Sequence, residues 1–439
     1  MTSLTRKARW TTWATVLAML VVPSACETLR DPLTVEPASR IPAAVAEISV
    51  NAQLLSDGAV ADFECAFNSY TAMSGLVGEE FIYAQQTASR TPYDRRNTSK
   101  DDVDYATNSC TNNLGVYTPL QVARASNENL IRLLNSWTDA EVSAGSGQPN
   151  RTNLLATAST YAGYSYVLLG EGFCTMAISR VRPDNTIEYG GEISRDSVFK
   201  LAVARFTEAI GYATTVNNTS MLATAYLGRA RAKLNLADYA GAKADAQQVP
   251  ATPTPFLKTV SASDATTRRQ NRIFLENSGA NRSLSVGEPY RSMNDTRVPV
   301  SPTTQVSATG ITHYFQTKYA SSATPLPLAT YEEAQLIIAE ADIRANSLAT
   351  ALPIIAASRA RGGQGVFTGT TQAQYLAELI DQRRRELFAE SHHLGDLIRY
   401  NITPTPAVGS PYHFGGTYGT QICLPLPAAE RLNNPLIGG

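Results

Sequence analysis

Only four imidazoles occur in the 439 residues, those of His313, His392, His393 and His413, and their spacing decides what metal or acid–base chemistry the chain can do. None belongs to an HExxH pair. The adjacent His392 and His393 point to different faces of a helix, a poor arrangement for one tetrahedral ion. No GxSxG elbow, phosphate-cradling glycine loop or dinucleotide fingerprint is present. Gly362-Gly363-Gln364-Gly365 reads as a helix stop, where glycine takes the left-handed cap. Asp and Glu number 38, but spacing along a chain does not set two of them at the separation that glycoside hydrolysis demands. The residues point to no catalytic constellation, no metal and no cofactor, and reversible binding fits them better than turnover.

Stacking chemistry is better supplied. The chain has 20 Tyr and 3 Trp, and Trp10 and Trp13 lie in its first fifteen residues, which leaves Trp137 for the body of the protein. Sugars offer apolar C–H faces to aromatic rings, and planar side chains such as Arg and Asn satisfy their hydroxyls. Tyr83, Tyr93, Arg95, Arg96 and Tyr105 cluster in one stretch, and Tyr290 with Arg291 in another. These seven are the candidate ligand contacts, with ordinary half-buried packing the competing reading for each tyrosine. A lone Trp fits small oligosaccharides or peptides better than long glycans.

A different role falls to Arg383-Arg384-Arg385. Leu376, Leu379, Ile380, Leu387 and Phe388 form an apolar stripe, and Arg383 falls within it. A guanidinium on a core face requires a carboxylate partner. Glu386, Glu340 and Asp396 are the candidates, in a structural ion-pair network clamping the last long helix to the rest.

The elements that position these residues read as helices in pairs. Leu222–Leu236 with Ala237–Val249, closed by Pro250, has the small-residue pattern of two helices in close approach and resembles a tetratricopeptide repeat. Tyr331–Ala345 with Leu348–Arg361 is a second pair, with Ala334, Ile337, Ile338 and Ala341 at i, i+3, i+4, i+7. Pro353 fits the second helix of that pair only if the helix starts a few residues earlier. A third pair is split between Leu154–Leu169 and Val198–Ile210, and a looser early pair joins 46–75 with 117–138. Insertions near 76–116, 171–197 and 250–330 project from the repeats, free to bind. The last is irregular, with a few short strands. The expected architecture is mainly α, a superhelix of helical hairpins with long irregular insertions, in one domain over 46–439.

Lys plus Arg is 37, so the formal charge is −1, which excludes a strongly basic nucleic-acid binder. Hydrophobic residues make up 43%, enough for a sizeable core and against general disorder. Arg6, Lys7 and Arg9 precede the apolar run 11–22, too short to span the ~30 Å hydrocarbon core and therefore a signal segment. Ser24-Ala25 before Cys26 resembles a bacterial lipobox, although Pro23 departs from its usual aliphatic residue. The resemblance implies removal of residues 1–25 and acylation of Cys26, leaving 26–45 as a Pro-containing tether. Plain secretion with Cys26 as an ordinary thiol is the alternative. Cys65, Cys110, Cys174 and Cys423 remain, an even number in an exported chain. Three pairings are open; Cys65 with Cys110 and Cys174 with Cys423 is the one expected here, against buried free thiols.

The last hundred residues carry the most specific signal. Tyr331-Glu332-Glu333-Ala334 leads into Ala339-Glu340-Ala341. Ser358-Arg359-Ala360-Arg361-Gly362 and Arg383-Arg384-Arg385-Glu386-Leu387 follow. His392, Asp396-Leu397 and Arg399 precede Leu424-Pro425-Leu426-Pro427 and Asn434-Pro435. This order resembles the SusD/RagB family of outer-membrane nutrient-binding lipoproteins, as do Asp295-x-Arg297 and Lys318-Tyr319 upstream. Gln382 stands where that family has Glu, Ser391 where it has Gly, and His393, Leu394 and Gly395 where it has Arg and two aromatics. The resemblance implies a SusD-like fold and a lipid-anchored protein at the cell surface. Such a protein captures oligosaccharide or peptide, without cofactor, for a SusC-like TonB-dependent transporter. A repeat-built assembly scaffold and a surface glycan or peptide hydrolase are the competing classes. Uninterrupted hairpins would mark the first, and product release the second.

Overall fold

The computed structural model describes residues 43–438, except 88, 108, 112, 113 and 280. The signal segment, Cys26 and nearly all of the tether lie outside the described residues. The chain divides into a unit ending at Ala46, of which a short helix over Ala43–Ala46 is described, and a unit over Glu47–Gly439.

Helical hairpins build the second unit. They comprise α1 (Ala52–Val77) and α2 (Tyr117–Ser136), α3 (Arg151–Gly172) and α4 (Arg195–Thr215), and α5 (Thr219–Asn235) and α6 (Tyr239–Ala246). After a long excursion come α7 (Tyr331–Arg344) and α8 (Leu348–Arg361), then α9 (Gln372–Glu386) and α10 (His393–Tyr400). Each expected pair is present and its members pack together. Helix starts follow side-chain chemistry: Asn150, Ser194, Asn218, Asp238, Thr330 and Thr371 each accept a bond from the backbone amide three residues on. Each such cap stabilises its helix by about 1 kcal/mol. Pro353 stands on the exposed side of α8, five residues after its start.

Close approach between helices is set by glycine. A Cβ at Gly163 on α3 would meet the Phe206 ring at 2.7 Å, and one at Gly228 on α5 would meet it at 2.3 Å. Phe206 of α4 therefore fills a socket that any larger residue on either neighbour would close. Around it lies an apolar core that runs from Phe63, Phe67 and Tyr70 of α1 through α3 to Ile337 of α7 and Phe388.

The insertions and the tail carry short antiparallel strands. β1 (Phe81–Tyr83) pairs with β7 (Leu284–Val286), so the first and last insertions share a ladder. β2 (Thr175–Ala177) pairs with β5 (Glu192–Ser194), and β3 (Arg180–Val181) with β4 (Ile187–Glu188). β6 (Leu257–Val260) pairs with β10 (Leu326–Thr330), which leads directly into α7. β8 (Val300–Val306) pairs with β9 (Thr312–Gln316) as a hairpin whose first strand is largely exposed.

Two disulfides fasten the excursions to the helices. Cys65 on α1 is bonded to Cys110, and Cys174, just past α3, to Cys423. Beside the second, Leu424 N–H donates to Gly172 O at 2.8 Å and Cys174 N–H to Leu424 O at 2.9 Å. The segment after α10 thus returns to the centre of the molecule.

Candidate functional site

Of the three carboxylates expected around Arg383, Asp396 is its partner, Glu340 joins the network through Arg399, and Glu386 is bound elsewhere. Arg383 Nε donates to Asp396 Oδ2 at 2.8 Å, and Asp396 Oδ1 accepts from Arg399 at 2.8 Å. Arg399 in turn holds Glu340, which also accepts from the Tyr400 hydroxyl. Burial raises the Asp396 carboxyl, but Arg383 and Arg399 outweigh it and hold it below the usual carboxylate range. Glu386 is not a partner of Arg383. It faces the other side of α9, where Arg297 at 2.8 Å, Arg361 at 2.9 Å and Ser358 bind it. The reason is helical geometry: Asp396, from the next helix, covers the buried face on which Arg383 lies.

The upstream landmarks dock on this same corner. Arg297 also binds Asp295, which reaches Arg385 at 3.3 Å. Lys318 binds Glu390 and the Phe388 carbonyl, and the Tyr319 hydroxyl donates to Ala389 O. Ser391 has φ +68°, a left-handed conformation that the family's glycine would adopt freely. His392 and His393 are both buried in this corner, against Glu333 and Glu79 respectively. Burial and then the nearby Arg231 push His392 well below its ordinary value, so it is neutral. Among the described residues, no group of three or more His, Cys, Asp or Glu side chains is placed to hold a metal ion.

The seven candidate ligand contacts separate into two sets. Tyr93 and Tyr105 are 1% exposed: Tyr93 donates to Leu114 O, and the Tyr105 hydroxyl lies 3.4 Å from Lys100 O and 3.3 Å from Pro425 O. Tyr290, 0% exposed, stacks on Phe388 with ring centroids 5.1 Å apart. Their faces are occupied by protein, because a short insertion with its own ladder must fill its interior. The packing reading holds for these three. Tyr83 is also buried, its hydroxyl 2.7 Å from that of Thr87.

Arg95, Arg96 and Arg291, with the Tyr83 backbone, gather around a segment that sequence analysis did not select, 411–418. There Pro411 bridges Thr417 across a glycine turn, and Tyr412, His413, Phe414 and Tyr418 form one ring cluster. Gly416, at φ +74°, is required: a Cβ there would stand 2.2 Å from Arg95 Nη2. Arg95 Nε donates to Thr417 O at 3.0 Å, and Arg96 lies over the Tyr418 ring at 4.7 Å. His413 Nε2 bonds Tyr83 O at 2.8 Å. Arg291 covers the Tyr314 ring at 4.3 Å. Arg95, Arg291, His413, Phe414 and Tyr314 are all half-buried, so planar groups of both kinds reach the surface. The sequence signal was Tyr412-His413-Phe414-Gly415-Gly416-Thr417-Tyr418, aromatics crowded about paired glycines.

Beneath the cluster, Asp94 accepts from the Tyr83 amide at 2.8 Å and the Tyr412 hydroxyl at 3.2 Å. Burial pushes its carboxyl up to about 7. Burial also lowers His413 and raises Tyr412, leaving the arginines as the charged groups of the rim.

A cleft of about 350 Å³ opens beside the rim, between the end of β1 and the β8–β9 hairpin. Gln85, Asn281, Arg282, Gln305 and Ser307 line it, with His313 at its buried side. Arg282 donates to Gln305 Oε1 at 2.6 Å, and the buried His313 Nδ1 has no hydrogen-bond partner. Tyr83 O meets His413 while the next carbonyl, Ala84 O, accepts from Thr309 at 2.8 Å, so cleft and rim share β1. The volume falls at the small end of the ~300–1,000 Å³ of ligand sites. Amide and guanidinium planes share the lining about equally with apolar surface from Ala84, Val306 and Ala308, a mixture that suits the hydroxyls and C–H faces of a sugar.

Comparison with known proteins agrees with this architecture. Residues 264–424 match the model of the SusD family. A SusD superfamily protein from Parabacteroides distasonis superposes with a TM-score of 0.65 at 14% identity, covering 91% of this chain and 99% of that one. Surface glycan-binding protein A from Bacteroides thetaiotaomicron gives 0.64 at 14%, over 87% of this chain and 96% of its own. B. fragilis NanU gives 0.61 at 14%, over 91% and 98%. No match was found among curated proteins. Residues 264–424 thus resemble the SusD family, and the chain has the fold of these SusD superfamily structures over most of its length.

Proposed function

We propose that the chain is a cell-surface binding protein that captures an oligosaccharide on the face formed by the cleft and the 411–418 rim. A peptide is the second ligand class. The captured ligand passes to a SusC-like TonB-dependent transporter in the outer membrane. The observation carrying this reading is the convergence of two insertions and the returning tail, which brings Arg95, Arg291, Tyr314 and Phe414 to the margin of a cleft lined with planar polar groups. Rings take the C–H faces of a sugar, and amide and guanidinium planes its hydroxyls. The ligand leaves chemically unchanged. That two solved relatives are described as surface glycan-binding proteins supports the same reading. Excursions between the hairpins speak against a plain repeat scaffold.

Anchoring belongs to the same proposal. Residues 1–25 direct export and are removed, Cys26 is acylated, and 26–45 tether the body to the outer membrane. No described helix is long and apolar enough to cross a membrane.

A glycan and peptide screen with the purified protein, followed by titration calorimetry, tests the reading. Phe414→Ala and Arg282→Ala should each weaken the best oligosaccharide about tenfold while the melting temperature stays within 2 °C, the loss of one ring or charged contact being ~1–2 kcal/mol. Mass spectrometry of the ligand afterwards should return it intact. Failure to bind any glycan or peptide, or release of cleaved product, would overturn the proposal. Co-purification from membranes with a large β-barrel tests the transporter.

A further inference from the structure

A second cleft, of about 270 Å³, lies between α2, α4 and the β3–β4 hairpin and shares no lining residue with the first. Its wall carries four guanidinium groups, those of Arg124, Arg132, Arg180 and Arg205, against the carboxylate of Glu128. That carboxylate is already satisfied. Arg205 binds it through Nε and Nη2 at 2.8 and 2.7 Å, and the Tyr166 hydroxyl donates to it at 2.8 Å. Arg132 rests on Asn129 Oδ1 and meets Glu47 only at 3.7 Å. Arg124 is 5% exposed, and its Nε donates to a neutral acceptor, Gln121 Oε1, at 2.8 Å. Arg180 is exposed. Among the described residues, neither Arg124 nor Arg180 forms an ion pair with a carboxylate.

A buried guanidinium without a counter-charge is costly, and a bound anion removes that cost. In a chain whose formal charge is −1, such a local excess of positive charge is not a background property. The guanidinium fork matches the plane of a carboxylate in two parallel hydrogen bonds. The rest of the wall adds apolar surface from Ile131 and Val181 and polar groups from Asn135 and Ser179. These suit the C–H face and hydroxyls of a sugar ring, in a space sized for one ring.

We propose that this second cleft binds a carboxylate-bearing saccharide, with Arg124 and Arg180 taking the carboxylate. The inference is independent of the first cleft, because it uses different residues and a charged ligand class. The test is calorimetric titration of the intact protein with digalacturonate, a neutral digalactoside and inorganic phosphate. Digalacturonate should bind and the neutral sugar should not compete with it. Arg180→Glu should weaken binding roughly tenfold or more, Arg180→Lys should restore part of it, and Arg182→Glu, on the same hairpin but outside the cleft, should leave it unchanged. Each result is read on protein whose circular dichroism and melting match the parent. No digalacturonate binding, equal binding of the neutral sugar, full competition by phosphate at equal concentration, or equal losses from Arg180→Glu and Arg182→Glu would each overturn the assignment.

Discussion

Arg383 and Asp396 show what a buried charge contributes here. Both are under 7% exposed; Asp396 is bonded by Arg383 and Arg399, and Asp396 is the carboxylate that faces Arg383. Removing the guanidinium leaves Asp396 buried with Arg399 alone, so Arg383→Ala should cost about 3 kcal/mol, read by urea denaturation. A loss under 1 kcal/mol would mean that water reaches the corner. Three other carboxyls behave in the opposite sense. Burial raises Glu80 to about 7, Asp94 to about 7 and Glu333 to about 8, from unfolded values near 4. A raised folded value stabilises fully below the unfolded one, and the contribution fades as pH climbs through the folded value. His313, His392 and His413, which burial lowers, act in the opposite sense until their unfolded forms have lost their protons, about one pH unit above 6.5. The melting temperature should therefore fall between pH 7.5 and 8.5, where Glu333 still titrates, and Glu333→Gln should flatten the fall. A melting temperature that rises over that interval would contradict the burial argument.

Among the elements, the turn between α9 and α10 is the place where sequence and backbone disagree. Ser391 adopts φ +68°, and its buried hydroxyl has no partner. Ser391→Gly removes both costs and should raise stability by about 1–2 kcal/mol, measured by thermal or urea unfolding. The helices themselves were legible because apolar spacing, caps and the glycine stops act locally; α7 and α8 begin and end within a residue of the expected bounds. Partners across the fold were less so. Asp396 was among the expected partners of Arg383, whereas Glu386, three residues away, turned to Arg297, 89 positions upstream. Tyr93, Tyr105 and Tyr290 read as ligand contacts because composition alone does not tell a ring facing solvent from one filling an insertion. The 411–418 rim escaped notice because its role comes from tertiary return, which local spacing does not encode.

At the scale of the molecule, Cys174–Cys423 ties the returning tail to the end of α3, across 249 residues. Replacing both cysteines by serine should lower stability by about 2–5 kcal/mol, and oligosaccharide affinity should drop more than the helical circular dichroism, since the rim precedes Cys423 by five residues. Equal loss of both would place the disulfide in the scaffold instead. Cys26→Ser should move the protein from the membrane fraction to the soluble one and abolish palmitate labelling; retention of the label would assign the anchor elsewhere.

The parallel bridge from Phe173 to Leu424 means that a segment 251 positions downstream completes a surface begun far earlier. A chain clipped after Tyr400 would keep the paired helices but lose the 411–418 rim, the Cys174–Cys423 bond and the core residues Leu424 and Leu426.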